Sequence, residues 1–462
     1  MITRLQTTAA QKVQQQSDPV RQDGSRLELD RSITEMGIIE LYNFVKSKAE
    51  ELFPEVPKHL QIKCVMSLVQ RKHSFVLAGT RYGKRRIAEM YYRMFPVNKK
   101  AIVLVLNPLD SLGDNQVEEK KKAGISAVNL TKMNMTQQTV DEIMRGDYAF
   151  IYLSPEVLLN SSLFHRIFFS AGFRNRLVLV VVDEAHMIYV WGLVANGKAK
   201  KILSHLRHQD RAVFRPSYGE LGARLLATNG IPLLLLSATC RPQAIKAILV
   251  SLKITREYMT FFHGELARPE ITIWRVPMKA LLRSCNDLLQ LFGPASRIPD
   301  QDLVPTLIYS TTRHLTMQVL LVLNCARGTP GGQNNADSTF ARRYHSCTGD
   351  LDKQDIVNEF VKQMFPVISC TMALGLGRNW KQVRRVVHVG RGDPASIFQM
   401  IGRCGRGGEA GLAILFVEEN RKGGKNCVED FTNPEVQTDD NRMDALAITP
   451  VCLRTVFSID NK

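Results

Sequence analysis

Ser74 to Phe95 read SFVLAGTRYGKRRIAEMYYRMF, and three local patterns meet in this stretch. Phe75-Val76-Leu77 is an apolar run of strand type. GTRYGK, Gly79 to Lys84, is a glycine-bearing turn, and IAEMYYRMF reads as a helix. A strand, a turn and a helix start, with a lysine after the last glycine, form the layout of a loop that cradles phosphate. Backbone N–H groups at the helix start and the point charge of Lys84 are suited to an anion. Ala78 stands where the first glycine of such a loop belongs. Arg85 follows the lysine where Ser or Thr is usual.

Working outward, the same strand signal recurs. AIVLVLNP (101–108), AFIYLSPE (149–156), LVLVVVDEAH (177–186) and IPLLLLSAT (231–239) form one set with the opening stretch. TLIYSTTR (306–313), FPVISCT (365–371), RRVVHVG (384–390) and LAILFVEE (412–419) form a second. Apolar runs without alternation, spaced by helical patterns, indicate parallel sheets covered on both faces. Two sets predict an α/β protein of two such domains. The expected division is a polar tail and helix at 1–50, a first domain at 51–255, a second at 256–425 and a tail at 426–462. A hinge is expected around LARPEI (266–271). In open parallel sheets, function gathers at the carboxyl ends of strands. GTRYGK, NPLDS, SPE, DEAH, SAT, STTR and TMALGLG all fall there.

The 462 residues exceed one ordinary core, and 45% are apolar. No run is long enough to span a membrane, and the Gln-rich N-terminus lacks the apolar stretch of a secretory signal. Nine scattered cysteines without a C-x-x-C pair fit a reducing compartment. The net charge of +17 favours a polyanionic partner, nucleic acid first.

Asp183 and Glu184 end a buried strand about a hundred residues after Lys84. Phosphoryl transfer needs a carboxylate for metal, a second for water and cations for phosphate charge. QMIGRCGRGG (399–408) supplies Arg403 and Arg406, whose guanidinium forks match phosphate oxygens. The plainer readings are a solvated acidic turn and a basic loop.

Taken in order, Gln61, GTRYGK, NPLDSLGDNQV, SPE, DEAH, SAT, STTR, TMALGLG and QMIGRCGR resemble the motifs of superfamily 2 helicases. NPLDSLGDNQVEEKKKAGI (107–125), DEAHMIYVWG (183–192), FRPSYGELG (214–222) and YHSCTGDLDKQDIVNEF (344–360) are similar to segments of the RecQ family of DNA helicases. The likeness runs from about residue 55 to 420 and is nearest to divergent RecQ-like reading frames of fungal genomes. It implies two tandem RecA-like domains and a motor that hydrolyses ATP with Mg²⁺ while moving 3′ to 5′ on single-stranded DNA and unwinding duplex; from composition, the expected location is the nucleus. By position, Gln61 would contact adenine. Gly79, Thr80, Gly83, Lys84 and Arg85 would line the phosphates. Asp183 would hold Mg²⁺, Glu184 would orient water, and Gln399, Arg403 and Arg406 would reach ATP from the second domain. Asn107, Pro108, Trp191, Phe214, Arg215 and Thr371 would meet DNA.

The departures are specific. Arg85 removes a hydroxyl that assists Mg²⁺, and Arg81 replaces a glycine where the backbone must lie close to phosphate or adopt positive φ. Both point to an impaired loop. Residues 193–213 interrupt the aromatic-rich segment, Asn115 stands for an Asp, and Arg378 and Trp380 replace an apolar residue and a lysine. The family's four-cysteine zinc module is reduced to Cys427 and Cys452, so no zinc is expected. Two alternatives stand beside the DNA motor: a nucleic-acid-binding remnant without catalysis, and an RNA helicase of the DEAH type.

Overall fold

The computed structural model describes residues 26–108, 110–189, 221–226, 228, 230–374, 380–432 and 438–460. Seven strands build a first sheet: β1 (His73–Leu77), β2 (Ile102–Leu106), β3 (Ala127–Leu130), β4 (Phe150–Leu153), β5 (Leu177–Val182), β6 (Leu233–Ser237) and β7 (Met259–His263). Their order is β3-β4-β2-β5-β6-β1-β7, and every neighbouring pair is parallel. Six strands build a second: β8 (Ile271–Met278), β9 (Thr306–Ser310), β10 (Ala341–Tyr344), β11 (Val367–Cys370), β12 (Arg385–Val389) and β13 (Gly411–Glu418). Their order is β10-β11-β9-β12-β13-β8, again parallel throughout.

Each sheet is packed on both faces. Along β5, Val180 and Val182 join a core with Phe75 and Leu104, while Leu179 and Val181 join another with Val76 and Val103. Along β13, Leu415 and Val417 face one core of the second sheet, and Ile414 and Phe416 the other. This two-sided burial is why LVLVVV and LAILFV are apolar without alternation. Each such side chain contributes about 1.5–3 kcal/mol by leaving water.

The strands missing from the sequence reading are β3, β7, β8 and β10, and these are the four edges of the two sheets. An edge has no neighbour on one side and tolerates polar or proline residues. Thus β10 carries Arg342 and Arg343, and β8 carries Pro277 and a Trp274 that is 58% exposed.

The first sheet takes in β7, past the division expected at 255/256. The link from β7 to β8 then runs against the phosphate-type loop. Gly264 N donates to Leu77 O (2.8 Å) and Gly79 N to Glu265 O (2.9 Å). A Cβ on Gly79 would sit 3.0 Å from the carbonyl oxygens of Glu265 and Leu266, so glycine is needed for this approach. The expected C-terminal tail is instead partly folded. Helices Asp439–Ile448 and Leu453–Asp460 pack Met443, Leu446 and Phe457 into the second core, with Phe457 lying 5.1 Å from Phe398. Among the described residues no helix is long and apolar enough to cross a membrane.

Candidate nucleotide site between the two sheets

The loop after β1 has two residues in the left-handed region, Arg81 (φ 65°) and Gly83 (φ 85°). The glycine accepts this freely. The arginine is strained by about 1–2 kcal/mol; of the two reasons expected for a glycine at 81, the positive φ is the one seen. Gln61 lies in the helix His59–Val69 and is buried. Its Oε1 accepts from Lys58 N (2.8 Å) and its Nε2 donates to Gly83 O (2.9 Å). The amide proposed to read adenine therefore also braces the loop. Lys84 folds back over the same turn, donating to Ala78 O (2.6 Å) and Gly79 O (3.0 Å). Burial lowers its pKa to about 8, against the pull of Glu184 and Asp183.

Asp183 and Glu184 follow β5 directly. Asp183 is 4% exposed, and both its oxygens are engaged. Oδ2 accepts from Arg85 Nε (3.0 Å) and from Gln116 Nε2 (3.2 Å), and Oδ1 accepts from Glu184 N (3.0 Å). The carboxylate expected to hold Mg²⁺ is thus paired with a guanidinium from the loop. That cation repels a metal from the same oxygens, and residue 85 offers no hydroxyl ligand. The residues in place do not fit a divalent ion here. Glu184 sits at φ 51°, a strained conformation of the kind that functional turns retain. Its Oε2 is buried, lies 3.5 Å from His186 Nδ1 and accepts no hydrogen bond.

The second sheet reaches this point through the helix Pro394–Ile401. Gln399 Nε2 donates to His186 Nε2 (2.9 Å) and to Thr239 Oγ1 (3.2 Å). His186 is held below its ordinary pKa by burial and is neutral. With Nε2 accepting, its proton sits on Nδ1 and is donated to Ser237 Oγ (3.1 Å). Ser237 Oγ donates on to Thr239 O (2.8 Å). DEAH, SAT and QMIGR therefore meet in one buried chain of hydrogen bonds across the domains.

Arg403 and Arg406 lie just beyond that helix. Burial pulls the proton affinity of Arg403 down, with Glu184 opposing and Arg85 adding to the pull. Burial, with Arg403, Arg268 and Arg85 nearby, drives that of Arg406 well down. These mutual influences put Lys84, Arg85, Asp183, Glu184, Arg403 and Arg406 around one cleft. Its positive charges, of which Arg403 is buried, outnumber its carboxylates, the condition for a site that takes a polyanion.

Three further residues escaped the sequence reading. Arg268, in the link, donates to Thr80 Oγ1 (3.0 Å) and to the carbonyls of Cys404 (3.3 Å) and Gly405 (3.2 Å). Its Nε pairs with Glu270 (2.6 Å). Arg81, noted only as a departure, donates to Gly405 O (2.8 Å) and so crosses the cleft. Gln116 was read only as part of a motif. No local signal marks these roles, because each depends on which element lies opposite.

Of the positions expected to meet DNA, Asn107 directly follows β2 with its side chain buried and both amide atoms lacking a hydrogen-bond partner. Pro108 follows it and is also buried. Thr371 directly follows β11, with Oγ1 accepting from Ala373 N (3.4 Å). Trp191, Phe214 and Arg215 lie outside the described residues, as does Arg378. Trp380 packs on Phe360 at 5.1 Å, as core.

Comparison with known proteins agrees with this geometry. Residues 58–248 match the DEAD/DEAH box helicase family and residues 303–408 the helicase conserved C-terminal domain. A DNA-bound helicase, MrfA with AMPPNP, shares the fold with a TM-score of 0.59 at 16% identity, over 90% of this chain and 55% of that one. Mss116 bound to single-stranded RNA gives a TM-score of 0.61 at 16% identity, over 85% and 77%. The chain therefore carries a DEAD/DEAH box helicase domain followed by a helicase conserved C-terminal domain, on a fold shared with tandem RecA-like helicases.

Within that class its sequence is similar to DNA helicases of the RecQ type. It is 27% identical to the mouse bifunctional 3′-5′ exonuclease/ATP-dependent helicase WRN over 76% of this chain and 22% of the relative. It is 26% identical to the ATP-dependent DNA helicase RecQ of Pasteurella multocida over 78% and 49%. It is 26% identical to the probable ATP-dependent DNA helicase RecS of Bacillus subtilis over 76% and 62%. The chain spans less than two thirds of the length of each of these relatives.

Proposed function

We propose that this chain is an ATP-driven DNA motor of the RecQ type, moving 3′ to 5′ on a single strand and separating duplex ahead of it. The observation that carries the reading is the convergence of Lys84, Glu184, Gln399, Arg403 and Arg406 on one cleft between two parallel sheets. In this reading Lys84 leaves its loop carbonyls for the β and γ phosphates. Glu184 has a buried oxygen without a hydrogen bond, free to accept from the attacking water and align it. Arg403 and Arg406 spread the charge that develops on the transferred group. Gln399, hydrogen-bonded to His186 and Thr239, links the state of the cleft to the relative position of the domains. The strain at Arg81 and the lost hydroxyl at 85 make it a slow motor. Losing one preorganised group of this kind costs about 3 kcal/mol, near a hundredfold in rate.

The experiment is ATP hydrolysis by the purified chain with and without single-stranded DNA, beside K84A and E184Q, followed by unwinding of duplexes with 3′ or 5′ tails. Stimulation by DNA, loss in both variants and a preference for 3′ tails are expected. Hydrolysis that ignores DNA and both substitutions would remove the motor. Stimulation by RNA in preference to DNA would move the chain to the RNA helicases.

A further inference from the structure

We infer that Arg85 takes the place of the divalent cation in this nucleotide site, so that the cleft binds a nucleoside triphosphate free of metal. The inference rests on the nucleotide-binding part of the reading above and goes beyond it. Its first support is positional. Arg85 Nε sits 3.0 Å from Asp183 Oδ2, on the carboxylate where a metal is expected in this class of site. Gln116 Nε2 and Glu184 N occupy further acceptor positions on the same group. A carboxylate offers about four lone-pair sites, and three are taken by donors of this chain.

The second support is that the guanidinium is only partly spent. Among the described residues it contacts the carboxylate through Nε alone, and its terminal amino groups have no acceptor there. Its side chain is 41% exposed, while that of Asp183 is 6% exposed. The same group can therefore hold Asp183 on one edge and fork onto phosphate oxygens on the other. A metal bridges carboxylate and phosphate in the same sense.

The third support is charge. A metal-free triphosphate carries all the negative charge that the ion would otherwise cancel. Lys84, Arg85, Arg403 and Arg406 gather around the cleft, and among the described residues the carboxylates of Asp183, Glu184 and Glu119 oppose them, one fewer than the cations. Like charges gathered in one cleft are relieved by a polyanion and made worse by a further cation.

The test is titration of the purified full chain with a fluorescent ATP analogue, once in EDTA and once in excess Mg²⁺. Wild type is expected to bind in EDTA within about threefold of its affinity in Mg²⁺. R85S is expected to bind at least about tenfold more weakly in EDTA than in Mg²⁺. R85K keeps the charge and should keep binding in EDTA, which covers the case of a poorly folded serine variant. Wild-type binding that weakens tenfold or more in EDTA overturns the inference while leaving the helicase reading intact. R85S that stays indifferent to metal overturns it as well. Failure of the wild type to bind in either condition overturns the inference and the proposed nucleotide site together.

Discussion

Two arginine–aspartate contacts in this molecule share their chemistry and differ in almost everything else. Arg391 and Asp444 lie in the second domain with side chains 1% and 0% exposed. Arg391 donates to Asp444 Oδ1 (2.6 Å) and to the carbonyls of Glu418 (2.7 Å) and Glu419 (3.2 Å). Arg421 forks onto both oxygens of Asp444 (2.9 and 2.5 Å), and Lys425 N donates to Oδ2 (2.9 Å). Burial alone would raise the Asp444 carboxyl, but Arg421, Lys425 N–H and Arg391 outweigh it and hold the group below its ordinary value. That cluster rivets the helix Asp439–Ile448 to the end of β13 and offers nothing to a ligand. Arg85 and Asp183 meet at the carboxyl ends of a sheet, with the guanidinium open on one edge. A sealed pair is structure, and an open pair in a cleft is a binding group. The difference lies in what remains unsatisfied.

The sharpest test of that contrast is D444A. It strands a buried guanidinium, and breaking such a cluster costs about 3–5 kcal/mol. Denaturation by urea should show this loss with metal dependence of nucleotide binding unchanged. A loss under 1 kcal/mol would mean the cluster is not a rivet. The acid response follows with a definite sign. The folded value of Asp444 is depressed, so its contribution is complete above the ordinary 3.8 and fades as pH falls through the folded value. In D444N that part of the acid dependence should vanish.

Q399L comes next. It removes the donor to His186 Nε2 and Thr239 Oγ1, leaving two buried acceptors short at about 1–3 kcal/mol. DNA-stimulated hydrolysis should fall while nucleotide affinity holds, since the residue couples the domains. A matching fall in affinity would make Gln399 a nucleotide ligand instead. The smallest effect is R85A on stability, about 1 kcal/mol or less, because the guanidinium is 41% exposed and Asp183 keeps its bonds from Gln116 Nε2 and Glu184 N. Thermal unfolding of R85A within a degree or two of wild type, beside altered nucleotide binding, would complete the contrast with D444A.

How much of this was legible beforehand depends on where each residue's partners lie. The interior strands β1, β2, β4, β5 and β6, and β9, β11, β12 and β13, were read because two-sided burial writes an unbroken apolar run. The edges β3, β7, β8 and β10 were not, because one-sided pairing leaves room for Arg342, Trp274 and Pro277. Lys84, Asp183, Glu184, Gln399, Arg403 and Arg406 were legible because each sits in a compact motif after a strand. The Arg85–Asp183 contact was not, since its partners are 98 positions apart. Arg85 showed as a phosphate-loop position with a missing hydroxyl, not as a partner of Asp183. Arg268 and Asp444 gave no signal at all, as nothing in LARPEI or DDNRMDALAI marks the face that will be buried.

The account turns on two domains gripping one triphosphate, and R406A addresses this most directly. DNA-stimulated hydrolysis by R406A should fall by about 10³–10⁵, the range for an arginine that reaches across to a transferred phosphoryl group. Binding of the fluorescent ATP analogue should persist through Lys84 and Arg85. Hydrolysis by R406A at the wild-type rate would contradict the account, because the second domain would then have no part in the chemistry.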